Sequence, residues 1–285
     1  MSGISTLLQQ DQARLATALG LEIAAARFEV HLLMARALQV NRAWLVAHGD
    51  EALSPTVYAQ YHSWLARRLQ GEPVAYIFGE KEFYGMVLML TADVLIPRPE
   101  TELLVELALA HMPITQTLRV LDLGTGSGAI ALSLAKLRPQ AQLLAVDASA
   151  AALRVAQANA QRLQLSNISF VESNWYQQVA AEPKFDLVVS NPPYIAAGDR
   201  HLQQGDLRFE PVSALAAGVN GLDDLRAIID YAPRYLVAGG WLMLEHGFEQ
   251  AAATRGLLNQ AGFSALATHR DLAGMERVSI GQLPG

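Results

Sequence analysis

The sequence predicts an α/β protein: a doubly wound sheet with helices on both faces, preceded by a small helical bundle. Three observations carry this. Residues 1–70 place apolar side chains at spacings of three and four, with no β-branched run. From residue 118 onward, short apolar runs alternate with helical stretches. The first of those runs ends in a glycine-rich turn that opens a helix.

In the first region Leu15, Leu19 and Leu21, then Phe28, Leu32, Leu33 and Leu38, mark helices rich in Ala and Leu. Ser54-Pro55 supplies an N-cap and a first-turn proline for a helix through Leu69, and Gly71-Glu72-Pro73 stops it. No catalytic-looking cluster occurs there. The region reads as a packed bundle or as a docking module for a macromolecular partner. Residues 76–96 turn aromatic and β-branched, with Gly79 and Gly85 as breaks, and read as a short hairpin or linker. Pro97-Arg98-Pro99 ends it, and Thr101 or Glu100 can cap a helix through Leu109. Strands follow at 118–123, 142–146, 168–171, 185–190 and 240–244. Helices lie between or after them at 129–137, 148–163, 222–231 and 250–261. The expected division is a helical domain over 1–73, a hairpin linker over 74–97 and an α/β domain over 98–285.

Composition narrows the function. Of 285 residues 52% are hydrophobic and 17% charged, so the chain can bury a core and is not disordered. The absence of Cys excludes a disulfide scaffold, a thiolate metal site and a Cys nucleophile. The opening MSGISTLLQQDQARL lacks the basic start and apolar core of a signal peptide. No apolar stretch reaches the roughly 18 residues needed to span a bilayer. A cytoplasmic protein without membrane contact is therefore expected. Basic residues number 21 against 27 acidic, and the net charge of −6 with scattered Arg argues against a nucleic-acid partner. The seven His show no metal-ligand spacing, so no metal is expected. Ser127 and Ser190 lack an evident His–Asp partnership. His246 reads as structural, and Asp223-Asp224 as residues that cap or decorate a helix.

Chemistry concentrates in three places. Asp122-Leu123-Gly124-Thr125-Gly126-Ser127-Gly128 follows a strand and opens a helix. Its G-x-G-x-G spacing is not the G-x-G-x-x-G of dinucleotide sites. Asp122 beside it disfavours a pyrophosphate and tolerates a cationic ligand such as S-adenosylmethionine, a sulfonium and ammonium without phosphate. Asp147, at the end of the next apolar strand, can accept hydrogen bonds from both ribose hydroxyls. Ser149 can cap the following helix in its place. Asn191-Pro192-Pro193-Tyr194 directly follows the strand FDLVVS. Two prolines stiffen this loop where doubly wound folds bind ligands. The Asn191 amide oxygen and the Pro192 carbonyl are fixed acceptors for a planar NH₂ group, and Tyr194 offers a face to stack on it.

With these motifs the sequence resembles class I S-adenosylmethionine-dependent methyltransferases that act on planar amino groups, on a Rossmann-like sheet. More narrowly it is similar to the protein-(glutamine-N5) methyltransferases of peptide chain release factors, the PrmC/HemK family. The likeness extends through Gly71-Glu72-Pro73, Ile96-Pro97-Arg98-Pro99-Glu100-Thr101-Glu102, Phe209-Glu210-Pro211 and Arg270-Asp271 with Glu276-Arg277. Residues 215–221, LAAGVNG, depart from the family's Gly-Gly-x-Asp-Gly. The resemblance implies that Gly124, Thr125, Gly126, Ser127 and Gly128 cradle the methionine end of the cofactor. Asp147 takes its ribose, Trp175 lies beside the adenine, and Asn191 borders the cofactor. Asn191, Pro192, Pro193 and Tyr194 hold the substrate glutamine, with Asn191, Pro192 and Tyr194 in the catalytic role. It implies methylation of the glutamine amide in the Gly-Gly-Gln motif of release factors, which tunes translation termination, with S-adenosylhomocysteine as product. A monomer is expected. The competing reading is methylation of the adenine exocyclic amine in DNA or RNA. A dinucleotide-dependent oxidoreductase is disfavoured by the glycine spacing, and a non-catalytic docking protein by the intact motifs.

Overall fold

The computed structural model describes residues 3–285. The chain divides into two compact units: residues up to Gly79 together with Gln204–Phe209, and Glu80–Gln203 together with Glu210–Gly285.

The first unit contains helices α1 (Ile4–Leu19), α2 (Ile23–Leu38), α3 (Arg42–Ala47), α4 (Pro55–Leu69) and α5 (Val74–Phe78). Its core joins Leu8, Leu15, Val30, Leu33, Leu45, Tyr61 and Leu65. Of the positions read from the sequence, Leu15 and Leu33 are buried, Leu19, Leu21 and Leu38 are partly buried against that core, and Phe28 and Leu32 are exposed instead. Gly20 ends α1 in the left-handed region, and Ser54 with Pro55 starts α4 as expected. Arg68 is buried and forks onto Glu29, with a further bond of 2.9 Å to Asp206 of the returning segment.

The second unit opens with a hairpin, β1 (Glu80–Phe83) and β2 (Met86–Met89), then α6 (Glu102–Ala110). There follow β3 (Arg119–Leu123), α7 (Ala129–Leu137), β4 (Gln142–Asp147), α8 (Ala150–Arg162), β5 (Ile168–Glu172) and β6 (Phe185–Ser190). The unit closes with α9 (Asp223–Tyr235), β7 (Leu236–Glu245), α10 (Ala251–Gln260), β8 (Ser264–Arg270) and β9 (Glu276–Gln282). Among the described residues one seven-stranded sheet forms, in the order β5-β4-β3-β6-β7-β9-β8. The first five of these pair in parallel; β9 pairs antiparallel with both β7 and β8. One apolar cluster lies on each face: Leu132, Ala145 and Val189 belong to one, and Leu121, Val188 and Leu242 to the other. This is the doubly wound arrangement expected from the alternation.

The structure differs from the sequence reading at two places. Residues 74–97 do not form a separate linker. Val74–Phe78 is a helix of the first unit, and the hairpin buries Phe83, Met86 and Leu88 in the core of the second. Its apolar residues make it part of the sheet domain's core. The antiparallel pair β8–β9 has no counterpart in the sequence reading: both strands mix polar and apolar residues, β8 at the weakly buried sheet edge and β9 buried between β7 and β8.

Candidate active site

Strand order reverses at β3, with β4 on one side and β6 on the other, and ligands in such folds sit at the carboxyl ends of those strands. A cavity of about 340 Å³ lies there, walled in part by Gly124, Gly126, Asp147, Trp175 and Asn191. Asp93, Asp147 and Asp224 supply carboxylates to its wall, and no Lys or Arg is among the described residues that line it. Such a wall suits a cationic ligand and repels a pyrophosphate.

The turn after β3 folds as its glycines dictate. Gly124 has φ +73°, and a Cβ there would press on the Trp175 ring at 3.2 Å. The N–H groups of Gly124 and Thr125 both donate to the Val146 carbonyl at 2.9 Å, which ties the turn to β4. Gly126 N–H donates to Asp147 Oδ2 and Ser149 N–H to Asp147 Oδ1, each at 2.9 Å. Burial raises the Asp147 pKa, and these backbone donors pull it back. Each carboxylate oxygen keeps acceptor capacity toward the cavity. Ser149 caps α8 in Asp147's stead, accepting from Ala152 N–H at 3.1 Å.

Thr125, Ser127 and Gly128 shape this turn without lining the cavity. Thr125 donates to Asp122 Oδ2 at 2.7 Å. Asp122 lies buried beneath the turn, where burial pushes its carboxyl up to about 7 against the Thr125 bond. Gly128 has φ +87°, and a Cβ would come within 2.7 Å of Leu132 Cδ1. Asn159 bonds the Ser127 carbonyl and both the N–H and carbonyl of Met89, which straps β2 to the turn.

Asn191–Tyr194 leaves the end of β6 on the opposite wall. Ser190 Oγ donates to the Leu123 carbonyl at 2.7 Å and locks the two strand ends together. Asn191 and Pro193 line the cavity; Pro192 and Tyr194 continue the loop beyond its wall. Burial pushes the Tyr194 hydroxyl up to about 12, with the Glu245 charge adding to it. Gln250 donates to the carbonyls of Tyr194 (3.0 Å) and Gly221 (3.1 Å). Ile195 pairs with the backbone of Leu215 and Ala217. Gly221 has φ +73°, and a Cβ there would lie 2.2 Å from the Tyr194 carbonyl oxygen. The 215–221 loop is thus the backing of the Tyr194 segment. Glu210 accepts from Ile96 N–H at 3.0 Å and from Arg98, fixing the Pro97–Pro99 stretch.

Two side chains act differently from the sequence reading. Asp224 does more than decorate a helix: it lines the cavity and accepts Trp175 Nε1–H at 3.1 Å. That bond holds Trp175, whose backbone sits at φ +50°. Thr101 makes no cap bond to α6; its hydroxyl accepts from Asn191 instead. His246 is structural as expected, bonded to the Gly247 carbonyl and Ser279 Oγ. Among the described residues, no group of three or more His, Asp or Glu could hold a metal ion. No helix there is long and apolar enough to cross a membrane.

Comparison with known proteins agrees with this geometry. Residues 6–79 match the PrmC N-terminal domain family and residues 100–206 the methyltransferase small domain family. A solved methyltransferase from Pyrococcus furiosus shares the fold, with TM-score 0.54 and 18% identity over 77% of this chain and 98% of its own. The chain is an S-adenosylmethionine-dependent methyltransferase. A release factor glutamine methyltransferase of Xylella fastidiosa is 50% identical over 91% of this chain and 94% of its own. One of Pseudomonas aeruginosa is 45% identical over 99% of both. The chain belongs to the family of release factor glutamine methyltransferases.

Proposed function

We propose that this enzyme methylates the side-chain amide nitrogen of the glutamine in the Gly-Gly-Gln motif of peptide chain release factors, in the cytoplasm and as a monomer. The observation that carries the reading is the Asn191–Tyr194 loop, pinned at the end of β6 beside a carboxylate-lined cavity. S-adenosylmethionine, when bound, supplies an electrophilic sulfonium methyl and leaves as S-adenosylhomocysteine. Gly124 and Gly126 would face its methionine end, Asp147 its ribose and Trp175 its adenine. Thr125, Ser127 and Gly128 would hold the turn in shape.

A carboxamide nitrogen is a poor nucleophile, because its lone pair is delocalised into the carbonyl. Asn191 Oδ1 and the Pro192 carbonyl accept its two N–H bonds. This orients the lone pair and stabilises the positive charge that grows on nitrogen. Tyr194 holds the amide plane, backed by Gln250 and the 215–221 loop. The helical unit docks the protein acceptor: Phe28 and Leu32, four residues apart on α2, are exposed. On that reading Phe28→Ser raises KM for an intact release factor and leaves cofactor affinity unchanged.

The direct test is incubation with methyl-labelled S-adenosylmethionine and a release factor. Mass spectrometry is expected to find one methyl on the target glutamine, and none when that glutamine is replaced by glutamate. Label on adenine of DNA or RNA, with none on protein, would establish the nucleic-acid alternative in its place.

A further inference from the structure

Two buried groups behind the acceptor loop have no part in the mechanism so far. Thr101 is 4% exposed, and its Oγ1 accepts Asn191 Nδ2–H at 3.1 Å across 90 residues of chain. Glu245, at the end of β7, is 1% exposed, and neither carboxyl oxygen has a hydrogen-bond partner of ordinary geometry. Burial raises its pKa, and the Thr101 side chain opposes that rise.

An asparagine amide has a donor end and an acceptor end, and only the acceptor end can serve a substrate N–H. With Nδ2 committed to Thr101, the acceptor end of the Asn191 amide is the end left for a ligand, and Asn191 lines the cavity. The Thr101 oxygen acts as the acceptor in that bond. We propose that Thr101 is a positioning residue for methyl transfer: its hydroxyl fixes the Asn191 carboxamide with Oδ1 toward the acceptor amide. This rests on the glutamine-amide reading above. Without Thr101 the Asn191 amide can rotate, and its NH₂ then opposes the substrate NH₂. The loss falls on the reacting geometry and not on docking.

The test compares Thr101→Val, which keeps the shape and removes the hydroxyl, with Thr101→Ser, which keeps it. Thr101→Val is expected to lower kcat about tenfold or more, the scale of one lost orienting hydrogen bond. KM for the release factor and calorimetric affinity for S-adenosylmethionine should stay within about twofold, and Thr101→Ser should recover most of kcat. Adding Thr101→Val to Asn191→Ala should cost nothing further, since the group to be oriented is gone. A wild-type kcat in Thr101→Val, a loss confined to KM or cofactor affinity, or full additivity with Asn191→Ala would each overturn the proposal. The wild-type control keeps the two readings apart: methyl on another acceptor refutes the glutamine assignment, while the variants still test Thr101 on that acceptor.

Discussion

The two walls of the cavity are built by different means. The wall at β3 and β4 joins the ends of two consecutive strands, largely through backbone: glycines at positive φ, N–H groups on Val146, and Asp147 bonded to Gly126 and Ser149. The wall at β6 is held from other parts of the chain, by the side chains of Thr101 and Gln250 and by the close-packed backbone of Gly221. Thr101, Gln250 and Gly221 all converge on four residues. A methyl donor common to many acceptors can be held by a local turn. An acceptor that must be oriented for attack needs rigid support from several elements.

The largest expected effect sits on the long-range wall. On the proposed mechanism Asn191→Ala removes an acceptor that works on developing charge, and kcat should fall about 10²–10³-fold. Affinity for S-adenosylmethionine should change far less, because the β3–β4 wall is untouched. Calorimetry showing the larger loss in cofactor affinity would erase the division between the walls.

Glu245 sharpens the comparison through pH. Burial pushes it up to about 7, helped by Glu100 and opposed by Thr101, Arg277 and Arg98, while Tyr194 faces it. A carboxyl raised in the folded state keeps a proton that the unfolded chain releases. Stability is therefore lost as pH climbs from about 4.5 to about 7, and the loss persists above that. Full burial makes the penalty about 3 kcal/mol. Asp122, under the other wall, is pushed up in the same window. Glu245→Gln removes one contribution and leaves the other. Its stability relative to the wild type, read from denaturant midpoints, should rise between pH 4.5 and 8. An offset that does not vary with pH would show Glu245 ionised in the fold.

Asp147→Ala breaks the local wall and should weaken S-adenosylmethionine by about 1–3 kcal/mol, the scale of bonds to a charged acceptor. Its kcat at saturating cofactor should remain near that of the wild type, the reverse of the Asn191 pattern. Unchanged affinity would remove Asp147 from the ribose-binding role.

What the sequence made legible follows the same division. The glycine turn and Asp147 end consecutive strands, so the strand–helix–strand pattern carries their geometry, and Ser149 caps α8 as its position implied. The doubly wound sheet was legible because apolar strands buried on both faces stand out as runs. Thr101 read as a cap because helix starts are local; its true partner lies 90 residues away. Glu245 closes an apolar strand like any residue meeting solvent, and only the tertiary fold around the strand end leaves it 1% exposed. Asp224 carried no signal beyond its place at a helix start, where an acidic residue is common.

That last residue gives the smallest effect. Trp175 lies over Gly124, and its Nε1–H reaches Asp224 Oδ1 at 3.1 Å. The bond fixes the ring plane, and burial raises the Asp224 pKa while the indole donor lowers it. Trp175→Phe keeps an aromatic face and removes the donor. Cofactor affinity should fall by about 1 kcal/mol, the worth of one orienting bond, with kcat little changed. Asp224→Asn retains an acceptor for the indole and should have a smaller effect than Trp175→Phe. If Asp224→Asn proves the more damaging of the two, the carboxylate itself meets the cofactor. The local wall would then also depend on a side chain from distant sequence, and the contrast between the two walls would narrow to a difference of degree.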